Sequence, residues 1–275
     1  MRLCCALALL GIGGALPGQM RVQAFEVGAA LGALEDKVGA VPGAWRPVDR
    51  LHTLLAPVLQ REAEAAAGRA VPAVLHAGQH TLTVQGQRES CDVVQSVLDE
   101  LRREPLPRFH VTCTVLVMPW EVAEAHGLAT DEVQEADVAA MTNLMRDVVK
   151  QKGTLLNLPE TIARPLVPFV AEPRIGAVGK QPPDDAKNLW LRGEAVAVSP
   201  EEALFRVQLL RNSLPEDRSV LPRATVCDRA FRLRVGNGVT MTMRSNRTST
   251  VVWLRFLSTS TVAPKADRPD KAGGR

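Results

Sequence analysis

The residues of this sequence that could bind metal or move protons are few and scattered. His76 and His80 have HxxxH spacing, which on a helix would set both imidazoles on one face for a metal ion. Gly78 lies between them and the surrounding pattern reads as a hairpin, so the two rings do not converge. His110 and Cys113 are an odd number of residues apart in strand-like sequence and therefore face opposite sides. Glu124 and His126 fall in a short helix or turn, where a surface pair is expected rather than an acid–base couple. Asp184 and Asp185 sit in a Pro-rich loop and read as a solvated acidic turn rather than a cation site. Asn246, Arg247 and Thr248 fit the glycosylation triplet, a pattern common by chance. His52, His110 and Asp228 are the residue types a hydrolytic enzyme needs, but nothing in the sequence places them together. There is no Gly-x-Ser-x-Gly elbow, and the Gly-rich run at residues 11–14 lies in an N-terminal apolar stretch. The expectation is a non-enzyme with no catalytic, cofactor-binding or metal-binding residue.

Composition narrows the class further. A formal charge of +3 over 275 residues is too small to argue for nucleic acid. Tyr is absent and aromatics are 4%, which weighs against stacking platforms for bases or sugars. Arg232, Arg234, Arg244, Arg247 and Arg255 cluster near the C-terminus. They read as the wet side of a sheet buried on one face, ahead of a basic surface for an acidic partner. Trp120, Trp190 and Trp253 fit core or rim positions better than a membrane-interface belt.

Residues 1–24 read as a secretory signal peptide, with Arg2 as the basic start, an apolar Leu3–Leu16 too short to span a bilayer, and small residues before Phe25. Cleavage there removes Arg2 and Arg21 and takes the charge from +3 to +1. Cys4 and Cys5 precede most of the apolar run and are poorly placed for acylation. No later segment predicts a transmembrane helix. Cys91, Cys113 and Cys227 remain, an odd number. A bond between Cys91 and Cys113 is one option, and packing as small hydrophobes is the better one.

Two periods of hydrophobicity organise the rest. Residues 25–47 are Ala/Gly-rich and weakly patterned, a lead-in with one strand near Phe25 as an option. Residues 48–67 have helical spacing, with a kink or a new helix start at Pro57. Residues 71–76 and 80–85 read as a hairpin, 91–103 as an amphipathic helix, and Pro105 and Pro107 as the best boundary in the chain. Beyond it come a strand at 108–118 and the longest helix at 131–151, capped by Thr130 and stopped by Gly153. Residues 154–175 hold Pro159, Pro165, Pro168 and Pro173 and make poor central strands. Strands follow from Asn188, including a tight hairpin across Gly236-Asn237-Gly238. In its first strand Phe231, Leu233 and Val235 form the dry face, and Ala230, Arg232 and Arg234 the wet one. Residues 261–275 are polar and predicted to be a disordered tail. The fold class is α+β: a small αββα-type module at 25–105, then a mainly antiparallel β domain with one long helix at 107–260.

The run TLTVQGQRESCDVVQSVLDELRR followed by FHVTCTVLVM resembles the junction in secretins, where a small ring-building domain leads into the channel domain. The order of elements over residues 48–258 fits that family loosely, and residues 81–118 match it closely in pattern. The resemblance implies an exported structural or interaction protein, a subunit or shortened relative of a bacterial envelope secretion channel. Its partners would be further copies of itself or other envelope proteins, in the periplasm or at the outer membrane. The alternative is a soluble, monomeric periplasmic ligand-binding or adaptor protein.

Overall fold

A computed structural model describes residues 20–38, 46–67, 73–128, 133–158, 160–171, 189–212, 223–245 and 248–261. It is of the α+β class, and its layers follow from which faces of the elements are apolar. The N-terminal sheet runs β1 (Arg21–Glu26), β3 (Thr81–Gly86), β2 (Val74–Ala77), all antiparallel. Leu75, Leu82 and Val84 alternate with exposed or half-exposed neighbours, so one face of this sheet is dry and the other open. On the dry face lie α1 (Gly28–Val38), α2 (Pro47–Ala67) and α3 (Arg88–Arg102). The lead-in is therefore more ordered than its composition suggests: it contributes both a strand and a helix. Arg21–Ala24, inside the expected signal peptide, form most of β1, so cleavage before Phe25 would remove four of its six residues. Pro57 lies within the continuous α2 and does not start a new helix.

The second half is a sandwich of two sheets. One is β8 (Phe169–Ala171), β9 (Leu189–Ser199), β10 (Glu202–Asn212) and β11 (Arg223–Arg234), with β10 between β9 and β11. The other has the order β5 (Val133–Ala136), β12 (Gly238–Ser245), β13 (Thr248–Thr261), β4 (Pro107–Pro119), β6 (Thr154–Asn157), with β7 (Thr161–Ala163) also on β4. Between them Phe205 meets Phe109, Phe231 and Phe256 at ring separations of 5.3–6.2 Å, and Cys113, Val207, Leu233, Val252 and Leu254 fill the rest. Each such fully buried large side chain contributes about 1.5–3 kcal/mol. The helices α4 (Trp120–Ala125) and α5 (Val138–Lys150) cover part of the outer face of the larger sheet through Leu116, Met118, Leu144, Val148 and Trp253.

Several sequence expectations need correction. The helix predicted at 131–151 is split: Val133–Ala136 is a strand paired with β12, and α5 starts only at Val138. Asp137, not Thr130, is its cap, its carboxylate accepting from the Ala140 amide at 2.6 Å. Thr130 lies outside the described residues, and the longest helix is α2, with 21 residues. The turn at Arg234–Asn237 exists, with Gly236 at φ +89° and the Asn237 amide donating to the Arg234 carbonyl. The strands it joins do not pair with each other, however. β11 pairs with β10 in one sheet, and β12 pairs with β13 and β5 in the other. Of the expected disordered tail at 261–275, Thr261 ends β13 and the remainder falls outside the described residues, as does the acidic turn at Asp184 and Asp185.

The expected wet face of β11 is also half wrong. Ala230 is 2% exposed and joins Val196, Val198 and Leu204 in a core shared with α2 and α3. The smaller sheet is thus covered on both sides, by the larger sheet and by the helices of the N-terminal module. The sequence boundary at Pro105–Pro107 does fall between α3 and β4, but the hydrophobic core runs across it.

Candidate functional site

The junction between the N-terminal module and the smaller sheet holds a cluster of charged side chains, Arg50, Glu194, Arg206 and Asp228. Arg50 of α2 is 5% exposed. Its Nη1 donates to the Leu166 carbonyl at 3.3 Å and lies 3.6 Å from Glu194 Oε1 on β9. Leu166 belongs to the Pro-rich link from β7 to β8. It adopts φ 56°, rare for a branched side chain, and is held there by its amide on the Ala195 carbonyl and by its side chain in the shared core. Burial pushes the Glu194 carboxyl up, and the charges of Arg50, Arg192 and Arg206 only partly offset it. Beside it Asp228 receives Arg206 Nε at 2.9 Å, Arg206 Nη2 at 2.6 Å and Gln208 Nε2 at 2.9 Å. Burial would raise Asp228, but these hydrogen bonds and the charges of Arg206 and Arg229 hold it below the usual carboxylate range.

At the rim of this junction a cleft of about 520 Å³ is lined by Val58 and Arg61 of α2, Glu135 of β5, Glu202 of β10, and Phe231, Arg232 and Arg234 of β11. Glu202 lies 3.8 Å from Arg232 and 3.6 Å from Arg234, so both β11 arginines share one carboxylate. The other clustered arginines are elsewhere. Arg244 lies 4.3 Å over the Trp120 ring and Arg255 5.1 Å over Trp253. Trp253 is a core residue, 4% exposed, while Arg247 and the Trp190 side chain fall outside the description.

The structure separates most residues singled out from the sequence. His76 is exposed on β2 and His80 is exposed in the following turn. His52 Nε2 lies 3.0 Å from the Leu75 carbonyl oxygen, within its own module. His126 meets Asp147 of α5 at 3.2 Å rather than Glu124. Asp147 titrates below its ordinary range because Lys150 and His126 donate to it. Asn246 and Arg247 lie outside the described residues. Cys91 and Cys113 are both free and buried, and burial pushes the Cys113 thiol up to about 12. Among the described residues no group of three or more His, Cys, Asp and Glu side chains is arranged to hold a metal ion. Among the same residues no helix is long and apolar enough to cross a membrane.

One arrangement was not visible in the sequence. His110, on the outer face of β4, has Nδ1 2.6 Å from Glu160 Oε1 and Nε2 2.9 Å from Ser260 Oγ. Glu160 precedes β7 and Ser260 lies near the end of β13, the two strands that flank this end of β4. Separations of 50 and 150 residues leave no local pattern that could have announced it.

No protein-family model and no curated protein matches the chain. Solved structures share a distant likeness. The type II secretion secretin XcpQ from Pseudomonas aeruginosa is 8% identical, over 88% of this chain and 75% of that chain, with TM-score 0.30. The type II secretin GspD from enteropathogenic Escherichia coli is 9% identical, over 86% and 87%, with TM-score 0.29. The InvG secretin domain from the Salmonella SPI-1 injectisome is 9% identical, over 92% and 91%, with TM-score 0.26. Likeness at this level leaves function to be argued from the residues.

Proposed function

We propose that this chain is an exported structural or interaction protein that works by packing its surfaces against neighbours, as a subunit or shortened relative of a secretin-like envelope assembly. The observation that carries this reading is the coupling of the two halves. The small N-terminal module, strands β1–β3 with helices α1–α3, is fixed to the β sandwich by a shared core and the Arg50–Glu194 contact. A module fixed in this way holds its exposed surfaces in one orientation relative to the sandwich. The module also presents an open sheet face and the edge strand β2, with Val74 exposed; cleavage before Phe25 would remove most of the opposite edge, β1, and bare β3 there.

The test is light scattering after size exclusion on protein recovered from the periplasmic and outer-membrane fractions, with its N-terminus mapped. A defined oligomer, or a cross-linked envelope partner, is the expected result. A strict monomer that captures no envelope protein would overturn the reading.

A second reading, a monomeric periplasmic ligand-binding or adaptor protein, is favoured by the junction cleft. Its volume is in the range of small-molecule sites. Its lining sets Arg61, Arg232 and Arg234 beside Glu135 and Glu202, a mixed-charge wall suited to a polar ligand.

A further inference from the structure

The chain of Glu160, His110 and Ser260 has no part in the packing role, and its geometry is specific. The imidazole offers Nδ1 to a carboxylate at 2.6 Å and Nε2 to a serine hydroxyl at 2.9 Å. A carboxylate at Nδ1 accepts a hydrogen bond from the Nδ1–H and so favours, in the neutral ring, the tautomer in which Nε2 is a bare lone pair. In that tautomer Nε2 is placed to accept the Ser260 Oγ–H. A hydroxyl, a base within hydrogen-bond reach and a third group orienting the base form the signature of an activated nucleophile. The groups are also reachable: the side chain of His110 is 22% exposed and that of Glu160 50%. His110 and Ser260 stand on the paired strands β4 and β13, where a ladder holds their spacing, and Glu160 immediately precedes β7, which pairs with the other side of β4.

We propose that Ser260 is a nucleophile that takes the acyl group of activated carboxylic esters, with His110 as its general base and Glu160 as the positioning residue. Ser260 Oγ attacks the ester carbonyl carbon as its proton passes to His110 Nε2. The bond from that carbon to the leaving oxygen breaks, and the leaving oxygen takes the proton from Nε2. Water then enters by the same route in reverse: it gives a proton to Nε2, its oxygen bonds to the acyl carbon, and Ser260 departs with the proton. None of the three side chains donates to the carbonyl oxygen of the tetrahedral intermediate. The substrate class is therefore limited to esters whose leaving group is already good, aryl esters being the simplest.

The full chain carries its own control. Ser258 lies on the same strand, directly opposite His110 in the ladder, and is exposed, but it is not the serine bonded to the imidazole. Brief exposure to p-nitrophenyl acetate, followed by peptide mass spectrometry, reads both serines in one sample. Ser260 is expected to acetylate ~10²-fold faster than Ser258, the lower end of what a positioned general base supplies. His110→Gln is expected to bring Ser260 down to the Ser258 rate. Glu160→Gln is expected to slow Ser260 and to remove a far-downfield imidazole N–H resonance from the proton NMR spectrum, while leaving the fold signals in place. Equal labelling of the two serines in the wild-type chain overturns the proposal whether or not any variant folds. So does a Ser260 rate that is indifferent to His110→Gln in a folded variant. The oligomeric state answers a separate question and is unaffected by either result.

Discussion

Arg50 brings a full charge into a place with almost no water, where its guanidinium has one carbonyl and one carboxylate near it. Removing one member of a buried pair leaves the other uncompensated and costs about 3–5 kcal/mol. Arg50→Met should therefore destabilise the chain by ~3 kcal/mol in chemical denaturation, and the double variant with Glu194→Gln should regain most of that loss. A double variant no more stable than Arg50→Met would show that the pair is not coupled. Asp228, on the same sheet, sets a pH dependence. Its folded-state pKa is depressed, so its contribution is complete above the unfolded value and is lost as pH falls through the folded one. Glu194 has the opposite sign. Its folded pKa is raised, so its ionisation opposes folding, and that opposition fades as the pH falls through its folded value. Asp228→Asn is expected to cost ~1–3 kcal/mol at neutral pH, with the gap to wild type closing in acid. A gap unchanged down to about pH 2 would contradict the assignment.

At the scale of elements, the short Pro-rich strands do more than their sequence suggests. β6 and β7 both pair with β4, and β8 with β9, so this link carries the chain from one sheet of the sandwich to the other. Its packing depends on a glycine. A Cβ on Gly193 would come within 2.2 Å of the Phe169 ring, which lies across the bare backbone of β9. Gly193→Ala is expected to lower stability by about 1–3 kcal/mol through overpacking, measurable as a lower denaturation midpoint. Gly193→Ala combined with Phe169→Leu should recover part of the loss, since the ring is what the methyl meets. Equal stabilities for wild type and Gly193→Ala would show that the ring does not pack there.

For the whole molecule, the consequence of a core that crosses the module boundary is cooperativity. Leu166, Val196, Val198, Leu204 and Ala230 of the β half are buried in the same cluster as Leu51, Leu54 and Leu98 of the N-terminal module. Neither half can open without exposing part of the other, so thermal unfolding followed by far-UV circular dichroism and by tryptophan fluorescence should give one coincident transition. Two separated transitions would mean that the halves behave as independent domains.

Periodicity and turn chemistry, both local, made much of this legible. The helical stripe Val94, Val97, Leu98 and Leu101, the strand alternation at Leu82 and Val84 and the long C-terminal strands were all readable, because 3.6- and 2-residue repeats are written in neighbouring positions. Local signals also misled. An Asn-Gly turn marked a reversal but not which strands would pair, and helix-compatible residues 133–136 became a strand only because β12 was there to receive them. The sequence by itself determined the α+β class and the apolar stripes of α3 and β3, but not those of β11, where Ala230 is buried and Val235 exposed. The tertiary structure alone decided that the arginine-bearing side of β11 faces a second module, that Arg50 meets Glu194, and that Glu160, His110 and Ser260 stand in line. Those relations join positions far apart along the chain, and only strand register and layer packing bring such positions within hydrogen-bond reach.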